Sequence, residues 1–206
     1  MQTALESDRY HSTVIDLIQN YHYQQAITCC KRSLTLCTPS EKSSLAIQYF
    51  NWGYCCYRQG KYQEAIEKYI RVLAITPDSY EPYNAWGTCL SNLGRYDEAI
   101  EKYKEAIKLR PSFPFAYLNW ILALLLQNKE EEAVAFAKEK FEGTRYRTLD
   151  ICRVRYKNEI LRIEDRLPDV VDADEMKLLV ERLERVRSLL QFIDKVKLSQ
   201  GDDEQE

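Results

Sequence analysis

Two stretches of the chain say nearly the same thing. Ala46-Ile-Gln-Tyr-Phe-Asn-Trp-Gly-Tyr54 leads to Gly60-Lys-Tyr-Gln-Glu-Ala-Ile-Glu-Lys-Tyr69 and closes at Thr76-Pro77. Tyr80-Glu-Pro-Tyr-Asn-Ala-Trp-Gly-Thr88 leads to Gly94-Arg-Tyr-Asp-Glu-Ala-Ile-Glu-Lys-Tyr103 and closes at Arg110-Pro111. Tyr49 recurs as Tyr83, Trp52 as Trp86, Gly53 as Gly87, Gly60 as Gly94, Ala65 as Ala99, Tyr69 as Tyr103 and Pro77 as Pro111, each 34 residues later. A fixed period of this length is the mark of a repeat architecture, in which each unit buries its apolar face only against its neighbours. Tyr49, Trp52 and Cys56, like Tyr83, Trp86 and Leu90, follow helical spacing. Gly60 and Gly94 end the first helix of each unit as left-handed caps, and Pro77 and Pro111 open the next unit.

This bulky–aromatic–glycine run, with its later alanine, aromatic and closing proline, resembles the tetratricopeptide repeat. The resemblance implies an all-α fold: a right-handed α-α superhelix of about four helix pairs with two additional C-terminal capping helices. Residues 7–40 read as a divergent first repeat, because Tyr10, Tyr23 and Ala26 stand 39 positions before Tyr49, Tyr62 and Ala65. The five extra residues fall near Ser40-Glu-Lys-Ser-Ser, where Ser40 can cap a lengthened helix and Glu41 favours its first turn. Residues 46–79 and 80–113 are the second and third repeats. Residues 114–143 form an atypical fourth, with Tyr117 and Trp120 in register, Ile121 at the glycine position, Asn128 in place of Gly94, Ala133 kept and no closing proline. Nine of the 15 tyrosines fall on repeat positions, which makes them core residues and not a platform for stacking bases. Gly53 and Gly87 are expected to let two helices approach closely, opposite the small Ala65 and Ala99.

Residues 144–199 change pattern. Leu149, Cys152, Tyr156, Ile160, Ile163 and Leu167 form one stripe, broken at Pro168. Asp172 and Glu175 resemble a capping box, followed by a second stripe of Leu179, Leu183, Val186, Leu190 and Ile193. That stripe spans about two heptads, too few for a coiled-coil seam, so an intramolecular cap is expected. Residues 200–206 read as a disordered acidic tail. The fourth repeat's first helix is apolar all round, and a helix of that kind is covered on both faces. The two C-terminal stripes can supply that cover, and the alternative is a partner's amphipathic helix filling that end of the groove.

The net charge of −3 draws the chain neither to nucleic acid nor to an anionic membrane. The amino terminus lacks the basic and apolar regions of a signal peptide, and Phe113–Leu126 is too short to span a bilayer. A cytoplasmic protein is expected. Seven cysteines with no C-x-x-C read as small buried hydrophobes, not as disulfides or metal ligands. Only His11 and His22 are histidines, and no phosphate loop, G-x-S-x-G or H-E-x-x-H occurs. No enzyme, cofactor or metal is therefore expected.

The resemblance also implies a working face. First helices line a concave surface, to which Phe50, Asn51, Tyr54, Tyr57 and Arg58 project from the second repeat. Glu81, Asn84, Thr88, Ser91 and Asn92 do so from the third, and Phe115, Leu118, Asn119, Leu122 and Leu125 from the fourth. Asparagine can grip a peptide backbone through both its amide donor and its carbonyl acceptor. One subfamily clamps the C-terminal carboxylate of heat-shock chaperones. The clamp needs Lys and Asn on one first helix, Asn on the next, and Lys with Arg on the third. In one frame those places hold Phe50 and Tyr54, Ala85, and Phe115 with Asn119; in the other they hold His11 and Ile15, Asn51, and Glu81 with Ala85. Neither frame supplies the cations a desolvated carboxylate requires. The expectation is an adaptor, monomeric or weakly dimeric, that binds a peptide segment of a partner protein and no small-molecule substrate. The alternatives are a chaperone holding a secretion or assembly substrate, of the type III secretion kind, and an RNA-associated accessory protein. The last rests only on segment 145–166, with seven Arg/Lys against four Asp/Glu.

Overall fold

The computed structural model describes residues 2–36, 42–141 and 146–201. The proposed Ser40 cap and the acidic tail beyond Gly201 lie outside the described residues. Among the described residues ten α-helices follow one another: α1 (Gln2–Gln19), α2 (Tyr23–Leu36), α3 (Lys42–Arg58), α4 (Tyr62–Ile75), α5 (Tyr80–Asn92), α6 (Tyr96–Leu109), α7 (Pro114–Leu126), α8 (Glu130–Phe141), α9 (Tyr146–Arg166) and α10 (Ala173–Gly201). A 3-10 turn, Leu167–Asp169, separates the last two, at the proline where a break was expected. The described residues are all-α, and none of their helices is long and apolar enough to cross a membrane.

One backbone device makes each of the four hairpins. The second residue after the first helix takes a left-handed conformation: Tyr21 (φ 62°), Gly60 (76°), Gly94 (76°) and Asn128 (60°). The next residue then donates its N–H to the carbonyl five positions back. These bonds are His22 to Leu17 at 2.8 Å, and Lys61 to Cys56, Arg95 to Leu90 and Lys129 to Leu124 at 2.9 Å. This is the 6→1 closure of a Schellman motif, which occupies a helix-end carbonyl and reverses the chain. Glycine enters this region without penalty and asparagine with little, whereas Tyr21 does so against its own preference.

The close approach inside each hairpin is settled by a pair of positions. A Cβ on Gly53 would lie 2.8 Å from Tyr69 Cε1, and one on Gly87 only 2.5 Å from Tyr103 Cε1. The ring four residues beyond the alanine fills most of the space, and at Gly87 the Ala99 carbonyl at 3.0 Å is close as well, so the close approach expected opposite Ala99 is present there. Tyr69 and Tyr103 are each 1 % exposed. In the fourth hairpin the sizes reverse. Ile121 stands at the glycine position and Ala137 at the tyrosine position, both buried. The first hairpin divides the volume evenly between Val14 and Cys30, also both buried. Filling one space with differently shared volume is what a close-packed interior permits.

The chain divides into two compact units, residues 1–111 and 112–206. In the first, the hairpins α1–α2, α3–α4 and α5–α6 pack in succession, α2 on α3 and α4 on α5. Cys30, Cys55, Cys56 and Cys89 are buried in that unit as small apolar residues. In the second unit, α7 pairs with α8, and α9 and α10 pack on each other and on α7, so the fourth hairpin does receive cover from the C-terminal helices. Ile163, Leu179 and Leu183 form a core between α9 and α10, joined by Ile160, Leu167 and Val170. Leu189 and Phe192 are buried alongside the anticipated Leu190 and Ile193. Asp172 caps α10 by accepting the Glu175 N–H at 2.8 Å. The capping box is only half made, however, because the Glu175 carboxylate pairs with Arg166 instead of turning back to its own helix start.

Candidate functional site: the exposed face of α3 and α5

Within the first unit, α3 and α5 are in contact and present side chains at register-equivalent positions. Ile47, Phe50, Tyr54 and Arg58 follow one another at helical spacing along α3. Glu81, Asn84, Thr88 and Asn92 stand 34 residues later on α5. Ile47 is 44 % exposed and the other seven are partly exposed, while Ala46, Gly53, Cys56, Gly87 and Leu90 on the same helices are buried. The face thus has an apolar-aromatic row beside a polar one.

Each row is held in place by its own contacts. Phe50 leans on the buried Tyr69 ring (centroids 5.5 Å apart), and Tyr57 leans on both Tyr54 (6.3 Å) and Tyr62 (5.8 Å). The Arg58 guanidinium donates to the Tyr54 hydroxyl at 2.9 Å and lies over the rings of Tyr23 (5.3 Å), Tyr54 (5.8 Å) and Tyr21 (5.9 Å). A cation over several rings is favourable and loses mobility. Arg58 therefore joins the first hairpin to the second as well as lining the face. On α5, the Thr88 hydroxyl donates to the Asn84 carbonyl at 3.0 Å, and the Asn92 amide donates to the Thr88 carbonyl at 2.7 Å. These two side chains bond their own helix, which limits how far they can serve as backbone grips.

Some sequence-assigned positions differ. Ser91 and Leu118, placed on the working face, are buried at 5 % and 0 % exposure. Asn51 is partly exposed, but its Nδ2 is buried without a hydrogen-bond partner. Asn119, Phe115, Leu122 and Leu125 are partly exposed on α7 in the second unit. Ile47, not counted to the face at first, is its most exposed apolar member. Its place four residues before Asn51 and three before Phe50 was the available signal.

Two other sequence features resolve into structure. In the basic segment 145–166, Arg153 pairs with Asp194 at 2.8 Å and Arg166 with Glu175, both reaching across to α10. The side chains of Arg155 and Glu159 lie outside the described residues. Burial pushes the thiols of Cys30 and Cys55 up to about 12 and raises those of Cys56 and Cys89 as well. A thiol held protonated is a poor nucleophile and a poor metal ligand.

Hairpins stacked in this way define a helical-repeat scaffold. Residues 43–112 match the family model of the tetratricopeptide repeat. No curated protein matches the chain in sequence. Solved structures do. A crystal structure of MamA is similar with a TM-score of 0.57 at 25 % identity, over 66 % of this chain and 77 % of that one. MamA residues 41 to the end from Desulfovibrio magneticus RS-1 shares the fold with a TM-score of 0.59 at 18 % identity, over 70 % and 77 %. The Hsp90 co-chaperone Cns1 from Saccharomyces cerevisiae shares it with a TM-score of 0.57 at 18 % identity, over 79 % of this chain and 49 % of that one. The chain thus has the fold of a helical-repeat scaffold.

Proposed function

We propose that the protein is an adaptor that binds a peptide segment of a partner protein along the exposed face of α3 and α5. The observation that carries this reading is the pair of aligned rows. Ile47, Phe50 and Tyr54 offer apolar contact, and Glu81, Asn84, Thr88 and Asn92 offer polar contact beside it. An extended peptide needs both, because its side chains seek apolar cover and its backbone seeks hydrogen bonds. Arg58 is committed to three tyrosines, and Glu81 is an anion, so this face does not recognise a terminal carboxylate through a cluster of cations. The basic residues of α9 that pair with α10 leave a nucleic-acid reading with little support.

The test is affinity capture from lysate with the intact chain and with an Asn51→Ala, Tyr54→Ala, Asn84→Ala variant, both first shown to be equally helical. A partner retained by the intact chain and lost by the variant is the expected outcome. A partner held equally by both would move the site elsewhere.

A further inference from the structure

At one end of the exposed face, α3, α4 and α5 line an open, shallow cavity of about 370 Å³. Its wall includes Ile47 and Phe50 from α3, Val72 and Thr76 from α4, and Glu81 and Pro82 from α5. Ligand pockets run from about 300 to 1,000 Å³, so this one is at the small end, suited to side chains and not to a large cofactor. The wall is predominantly apolar, and Thr76 spends its hydroxyl on the Val72 carbonyl at 3.1 Å. Glu81 is the single ionisable residue among those lining it. The Ser79 hydroxyl, donating to Glu81 Oε2 at 3.0 Å, fixes that carboxylate against the cavity. Among the described residues lining the cavity none is a lysine or arginine; Arg110 stands outside it and reaches the carboxylate only through the Tyr80 hydroxyl, which accepts from Arg110 and bonds Glu81.

The register explains why the cavity sits here. Successive repeats put Ile47 and Glu81 at one equivalent position and Gln48 and Pro82 at the next. The short proline ring therefore faces a wall of larger apolar groups, with a carboxylate beside it.

We infer that this cavity is the anchor of the peptide site and takes an aliphatic or aromatic side chain adjacent to a lysine or arginine that pairs with Glu81. The inference rests on the reading of α3 and α5 as a peptide-binding face and names the partner's chemistry. Apolar burial supplies the anchoring and the carboxylate selects the neighbour, a division common where small motifs are recognised.

The experiment is selection of a phage-displayed library of random 12-residue peptides on the immobilised full chain. Enriched peptides are then synthesised with a fluorophore and titrated by anisotropy. The binders are expected to share an apolar residue next to Lys or Arg. Glu81→Lys is expected to weaken them about tenfold or more, the loss of one charge-assisted contact. Peptides with that basic residue changed to Glu are expected to recover on the Glu81→Lys protein, a rescue that misfolding cannot imitate. Binders that lack the motif, or that bind Glu81→Lys unchanged while losing affinity for the Asn51→Ala, Tyr54→Ala, Asn84→Ala variant, overturn the anchor and leave the peptide face standing. Binders indifferent to both variants, or no enrichment at all, overturn both.

Discussion

Gly53 offers a quantitative test of how the hairpins are packed. Its three nearest neighbours are all atoms of the Tyr69 ring, at 2.8 to 3.1 Å from where a Cβ would stand. Tyr69 is 1 % exposed, so the ring cannot swing into solvent without opening the core. Gly53→Ala therefore overpacks a filled interior, at about 1–3 kcal/mol. Alanine gains about 1 kcal/mol over glycine within a helix. The net is a destabilisation of up to about 2 kcal/mol. If the ring is the whole obstacle, removing it reverses the sign. In a Tyr69→Ala background, itself costing about 3–5 kcal/mol, Gly53→Ala becomes stabilising by roughly 1 kcal/mol. The cycle is read from urea unfolding followed by circular dichroism, with an osmolyte added equally to all four proteins to keep the double variants folded. The expected coupling lies within the range of about 0.5–3 kcal/mol seen for residues in contact. Equal effects of Gly53→Ala in both backgrounds would refute the argument, and so would stabilisation in the wild-type background.

Two further outcomes follow from the same geometry. Gly94 has φ 76° and no heavy atom within 4 Å of an added Cβ, so Gly94→Ala isolates the backbone penalty. The expected loss is about 1–2 kcal/mol in urea unfolding, and an unchanged midpoint would show that the turn does not require its left-handed residue. Burial raises the Cys30 and Cys55 thiols from 9.0 to about 12, so below pH 9 folded and unfolded chains hold the same thiol protons. Between pH 9 and 12 the unfolded thiols ionise first, so their contribution to stability drains away as pH rises through that window. Thermal unfolding between pH 8 and 11 is expected to show a steeper decline for the native chain than for a Cys30→Ala, Cys55→Ala variant; parallel declines would contradict it.

The repeat was legible because its signals are side chains with one physical use. Gly60 and Gly94 announce a left-handed turn, and asparagine at position 128 still permits one. Tyr21 announces nothing of the kind, since a tyrosine disfavours that region and only the surrounding hairpin enforces it. The contact of Gly53 with Tyr69 was not anticipated beside the expected small Ala65, because matching small to small does not say where a ring ends once two helices cross. The exposed rows were readable from spacing along α3 and α5. Ser91 and Leu118 were misplaced because residues three or four apart on a helix differ by only about 40–60° around its axis, and packing decides which is covered. The division after Pro111 was not readable at all. It depends on α9 and α10 packing with α7 and α8, a cover that the apolar α7 and the two C-terminal stripes suggested without fixing where the units part.

The most direct test of the central claim compares two faces of the same unit. A photoreactive benzoylphenylalanine is placed at Thr88, on the exposed face of α5, or at Ile70, which is 44 % exposed on α4. Both proteins are irradiated in lysate, and cross-linked partners are resolved by mass. The account predicts a discrete partner adduct from position 88 and none from position 70. An adduct from position 70 alone would place the partner away from the α3–α5 face and contradict it.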